Sequence, residues 1–206
     1  MNEFFGFLGV DFTNPMVLTS YIISIVGFIL FTVSSILKRK EMILGFQGAG
    51  NCLCAVSEIF ISAWAGFTQD TLNLIRNVLV VKKWMNKVVS IIFIVVAFAL
   101  GLFVFIWDFE KAAWWGILPL IATIQFSIIV IIPNISVIAI KLSLMVSSVC
   151  WATYGVGVRL YTTTIFNALT FVLALIYIIM YFVQKRKPAV IMNQAPIEGT
   201  GEVKTE

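Results

Sequence analysis

The chain is expected to fold as an all-α membrane protein with seven transmembrane helices. Two parallel three-helix units are joined by a linker helix, a three-plus-one-plus-three plan. Three observations predict this. The 206 residues are 61% hydrophobic, with mean hydropathy +1.03, more apolar sequence than a soluble domain of this size uses. Charge is confined mostly to the ends of the apolar stretches. A polar pattern in the second and third stretches returns in the sixth and seventh.

Residues 1–14 carry Phe4, Phe5, Phe7 and Phe12 and suit an interfacial segment. No cleavable signal is expected, because Met1–Thr13 has Glu3 and Asp11 and no basic residue. The first unit is placed at 15–87. Pro15 suits the first turn of its first span, which runs to Leu37 with Ser20, Ser24, Thr32 and Ser35 as packing positions. The second span covers Met42–Ala65 and the third Thr71–Trp84, joined by a turn at Gly66-Phe67-Thr68-Gln69-Asp70.

Gln47, Asn51, Cys54 and Glu58 share one face of the second span, and Asn73, Arg76 and Asn77 share one face of the third. Polar groups at membrane depth are costly unless they meet a partner or a wet cavity. With the turn at 66–70, Glu58 and Arg76 fall at nearly the same depth, so they are expected to face each other or share a cavity. A static pair that serves packing alone is the bland alternative.

The linker is placed at 88–107. Ser90 is its one polar side chain, and a helix apolar all round faces lipid and lines nothing. The second unit is placed at 108–187. Trp107, Trp114 and Trp115 form an interfacial belt. The fifth span, Ala113–Ile132, carries Pro119, Thr123 and Gln125; Pro119 either kinks it or belongs to its first turn. The sixth, Val137–Tyr154, presents Ser143, Ser147, Trp151 and Tyr154. A loop, Gly155–Leu160, leads to the seventh, Tyr161–Val183, with Asn167 near its start. Residues 188–206 read as a disordered cytoplasmic tail.

Lys38, Arg39, Lys40, Lys82, Lys83, Lys87, Lys141, Lys185, Arg186 and Lys187 fall on one side, against Lys111 and Arg159 on the other. The basic side is expected to be cytoplasmic, with the N-terminus outside. The strings Asp70-Thr71-Leu72-Asn73 and Thr164-Ile165-Phe166-Asn167 are alike. Two three-helix units placed end to end would be inverted; one extra span makes them parallel, and the solute sites of such repeats lie at their interface.

Histidine is absent. That removes histidine-based catalysis and most transition-metal sites. Cys52, Cys54 and Cys150 fall inside spans and support neither a disulfide nor a metal clip. No nucleophile–base pair or glycine-rich phosphate loop is present, so neither an enzyme nor a cofactor is expected. No basic face interleaved with exposed aromatics points to nucleic acid.

The plan resembles the SWEET sugar facilitators, in which an asparagine from the third helix of each unit faces the substrate. Asn73 and Asn167 stand at the matching positions. Within that superfamily the chain looks most like the YgjV family of bacterial inner-membrane proteins. The likeness rests on Thr71-Leu72-Asn73-Leu74-Ile75-Arg76-Asn77, Leu118-Pro119-Leu120-Ile121-Ala122-Thr123-Ile124 and Ser147-Ser148-Val149-Cys150-Trp151-Ala152-Thr153-Tyr154, across Val17–Lys187. Of the membrane prolines of SWEETs only Pro119 has a match, and no Pro-Gln dipeptide occurs.

The expected function is a facilitator or carrier of a small polar solute, a sugar among the candidates. Asn73, Asn167, Glu58, Arg76, Asn51, Asn77, Trp151, Tyr154, Ser147 and Gln125 are the candidate substrate-binding residues. Trp151 has ordinary core packing as its alternative. Two other functions compete: a non-transporting inner-membrane scaffold or receptor-like subunit, and a vitamin-precursor carrier of the PnuC type, which would want Trp64, Trp151 and Tyr154 around one site. The expected partners are the solute, the bilayer and, as an open question, further copies of the chain.

Overall fold

The computed structural model describes residues 14–158 and 160–192, without the side chains of 111–112 and 185–192. The expected interfacial residues 1–13, Arg159 and most of the tail lie outside this range. Seven long helices make up the described chain: α1 (Pro15–Ile36), α2 (Lys40–Phe60), α3 (Trp64–Val81), α4 (Lys87–Trp107), α5 (Ile117–Ile131), α6 (Val137–Gly157) and α7 (Tyr161–Met192). One helical turn (Phe109–Ala112) and a 3₁₀ turn (Ala113–Gly116) link α4 to α5.

Among the described residues six stretches are long and apolar enough to cross a membrane; α3 is not among them. The reason is its own cargo of polar side chains, Gln69, Asp70, Asn73, Arg76 and Asn77, all buried. Local sequence sets the helix starts. The Asn14 side chain accepts from Met16 N with Pro15 behind it, Asn86 accepts from Val89 N, and Ser136 accepts from Ala139 N. Pro119 sits in the first turn of α5, where its missing N–H removes no helix bond.

Packing contacts run α1–α2, α2–α3, α3–α5, α5–α6, α6–α7 and α7–α1, a closed ring of six helices. Helix α4 packs against α3 and α5 from outside. Its buried positions, Ser90, Phe93, Ala97 and Gly101, form one narrow stripe, flanked by half-buried Val89, Ile94, Val104 and Phe105, and most of the remainder is exposed apolar surface suited to lipid.

Three boundaries correct the sequence reading. The expected turn at 66–70 is helical, and the chain reverses at Ile61-Ser62-Ala63. Ser62 adopts a left-handed conformation (φ 55°), and Ala63 N–H bonds back to Glu58 O at 3.0 Å, which closes α2 early. The loop before α7 is also shorter, because α6 continues to Gly157. At the far end α7 runs on through Lys187 and Pro188 to Met192, so the expected tail begins inside a helix.

Candidate functional site

A cavity of about 50 Å³ lies inside the ring. One water needs roughly 10–15 Å³ on that measure, so the space takes a few waters. Every ring helix contributes to the wall. Phe28 and Phe31 come from α1, Gln47, Asn51 and Glu58 from α2, and Asp70, Asn73 and Arg76 from α3. Phe126 comes from α5, Leu144, Ser147, Ser148 and Trp151 from α6, and Thr163, Asn167 and Thr170 from α7. Helix α4 supplies none of them.

Arg76 is the largest fully buried side chain. Its Nε and Nη2 donate to Asn77 Oδ1 at 3.1 and 2.9 Å. Its Nη1 donates to Asn73 Oδ1 at 2.8 Å and to Ser127 Oγ at 3.1 Å. The Phe126 ring lies 4.7 Å from Cζ, a cation–π contact. Four of the five guanidinium N–H groups are thereby engaged. Neutral acceptors and a ring face, rather than a carboxylate, solvate this charge.

Glu58 and Arg76 share the cavity but do not form an ion pair. The earlier turn explains why. Glu58 is two residues from the end of α2, about 3 Å, whereas Arg76 is twelve residues into α3, about 18 Å. The two are therefore at different depths, contrary to the sequence expectation. Glu58 instead lies over the first turn of α3, where a Cβ on Gly66 would collide with its carboxyl group. Its charged neighbour is Asp70, one turn beyond Gly66 on the same face of α3.

Three wall atoms have no hydrogen-bond partner: Gln47 Nε2, Glu58 Oε2 and Ser148 Oγ. Each residue is 6% exposed or less. Among the described residues four further buried atoms, on Thr32, Gln69, Asn77 and Thr123 outside the wall, also have no partner. A smaller recess, about 10 Å³, carries Glu58 and Thr163 onward to Tyr21, Ile61 and Leu160 at the turn end of the ring.

The opposite end is sealed. Ile43, Leu44, Phe126, Val130, Ile140 and Leu144 form one apolar cluster there. Two lysines tie helix ends across the ring. Lys141 Nζ donates to Ser34 O and Ser35 O at 2.9 and 2.6 Å, and Lys40 Nζ donates to Val130 O at 2.7 Å. Each cation thus satisfies orphan carbonyls in the last turn of α1 or α5. Lys141 is fully buried, so it is an internal cap as well as a member of the basic end.

Of the ten residues expected from sequence, Asn73, Asn167, Glu58, Arg76, Asn51, Trp151 and Ser147 line the cavity. Three do not. Asn77 stands behind Arg76 and holds it. Tyr154 packs edge-on against Trp151 and is 1% exposed. Gln125 points between α5 and α6, where it exchanges bonds with Ser143 O and Ser143 Oγ. Asp70, Gln47, Ser148, Thr163, Thr170 and the phenylalanines complete a wall that the sequence reading left unfinished. Asp70 had a legible signal, since 70, 73 and 77 share one helical face once α3 begins at Trp64.

No curated protein and no solved structure matches the chain significantly. Residues 18–186 match the Imp-YgjV family, described as a bacterial inner membrane protein. The match spans nearly all of the helical ring. The chain therefore belongs to the Imp-YgjV family and is a multi-pass bacterial inner membrane protein.

Proposed function

We propose that the protein is a carrier or facilitator of a small polar solute, which passes through the cavity between two parallel three-helix units, α1–α3 and α5–α7. Helix α4 is the linker that sets the units in the same sense, the arrangement in which the chain resembles SWEET facilitators. The contact ring supports this: α3–α5 and α7–α1 are equivalent junctions between the units. The lysine ties obey the same pairing, with α2 reaching the end of α5 and α6 reaching the end of α1. The basic end faces the cytoplasm, the N-terminus lies outside, and the site is shut on the cytoplasmic side.

One observation carries the reading: a cavity walled by all six ring helices, with unpartnered Gln47, Glu58 and Ser148 atoms. An unpaired buried polar group costs about 1–3 kcal/mol, a cost that a polar solute bonding to the wall would offset in part. The pocket must widen to admit a solute larger than water, and the apolar cluster and lysine ties are the contacts that would part.

A scaffold without transport has one observation in its favour. Asn73 Oδ1 accepts from Arg76, and Asn167 Nδ2 donates to Thr163 O at 2.8 Å, so both amides already hold partners. Proteoliposome swelling separates the two readings. Purified protein is exposed to hyperosmotic glycerol, glucose, ethanolamine and glycolate in turn. The carrier predicts that at least one solute enters faster than into protein-free liposomes, and that Asn167→Ala slows it about tenfold. Entry no faster than through bare lipid for all four contradicts it.

A further inference from the structure

We propose that Glu58 and Asp70 form a cation subsite at the turn-side end of the cavity, which receives a protonated amine on the transported solute. The proposal rests on the carrier reading and adds the charge of the solute to it.

Two carboxyl groups and one guanidinium line the cavity. The guanidinium is spent on Asn73, Asn77 and Ser127, and it lies six residues deeper along α3 than Asp70, about 9 Å. It therefore neutralises neither carboxylate by contact. Glu58 and Asp70 are each 6% exposed, and Glu58 Oε2 has no partner. Two like charges this deeply buried do not both persist without a counter-charge. Ser148, on α6 and in the same wall, is 2% exposed and its Oγ has no partner, so it is an acceptor open to an N–H donor.

An ammonium group fits this wall. Its N–H groups match a carboxylate oxygen and a hydroxyl. Phe28, Phe31 and Trp151 line the same cavity, and aromatic rings attract a cation that meets their faces. Glu58 reaches both the main cavity and the recess that runs to Ile61 and Leu160, so an amine entering from that end meets it first. The Gly66 position makes the subsite possible, since any side chain there would occupy the space of the carboxyl group.

The test is thermal unfolding of the full chain in detergent with methylammonium chloride, against sodium chloride at equal ionic strength. The expected result is a rise in Tm of about 3 °C for the native protein. Glu58→Gln and Asp70→Asn, which keep size and remove charge, are each expected to abolish the rise. The two variants serve as backups for each other should one fail to fold. No rise in the native protein, or an equal rise in both variants, overturns the proposal. A Tm that moves between acid and neutral pH but ignores methylammonium also overturns it, in favour of a bare proton site. The swelling assay keeps the two failures apart. If glycerol or glucose enters through the protein while methylammonium leaves Tm unchanged, the amine subsite falls and the carrier stands; if no solute enters, the carrier falls as well.

Discussion

Replacing Arg76 with alanine is expected to destabilise the protein by about 3 kcal/mol, the loss of several charge-assisted hydrogen bonds at one buried site. Four hydrogen-bonded N–H groups disappear at once, and Asn73 Oδ1, Asn77 Oδ1 and Ser127 Oγ lose the donors they share. Ser127 keeps its own bond to Thr123 O at 2.6 Å, but the amides of α3 would face an apolar wall. Arg76→Lys is expected to recover less than half of the loss. A single ammonium keeps the charge but does not span three acceptors that a planar fork reaches together. Unfolding in detergent, followed by circular dichroism, measures both variants. A loss under about 1 kcal/mol for the alanine variant would mean that the guanidinium is not the organising group of α3.

The second large effect is expected at the seam between α1 and α2. A Cβ on Gly50 would lie 2.9 Å from Gly27 O and 2.9 Å from the Phe31 ring, closer than packed atoms tolerate. Small residues allow membrane helices to approach this closely. Gly50→Leu must therefore either push α1 away from α2 or drive Phe31 into the cavity that it lines. Overpacking of this kind costs about 2–3 kcal/mol. Gly45, on the same helix, has open space around it, so Gly45→Leu is expected to stay within about 0.5 kcal/mol of the native protein. Equal losses at the two positions would refute the seam as the cause.

The polar faces of this molecule were legible because membrane helices leave few places for amides and charges. Asn51, Glu58, Asn73, Arg76 and Asn167 reach the cavity because burial among other polar groups is the affordable option at depth. The depth of each residue was not legible. A run with glycine, glutamine and aspartate looks like a turn, yet Gly66 and Asp70 are helical because Ser62 reverses the chain earlier. That one boundary moved Glu58 away from Arg76 and toward Asp70. Gln125 illustrates the other limit. It lies one residue from Phe126, about 100° around α5, and it pairs with Ser143 between helices while Phe126 faces the cavity. Counting polar residues does not distinguish an interhelical bond from a lining position. The aromatic and aliphatic wall, Phe28, Phe31 and Leu144, carried no signal, since the same residue types face lipid elsewhere. Lys141 read as a plain basic-end residue, because nothing local announces that α1 ends within its reach.

The central claim is that a wet cavity stands inside the helical ring and opens to the non-cytoplasmic side. Its most direct test places a single cysteine at Ser147, which lines that cavity, in a chain with Cys52, Cys54 and Cys150 replaced by serine or alanine. A membrane-impermeant thiol reagent is then applied to right-side-out spheroplasts and to inside-out vesicles. The account predicts labelling from the spheroplast side, at least tenfold faster than at a lipid-facing control such as Val95→Cys. Absence of labelling from both sides would contradict it.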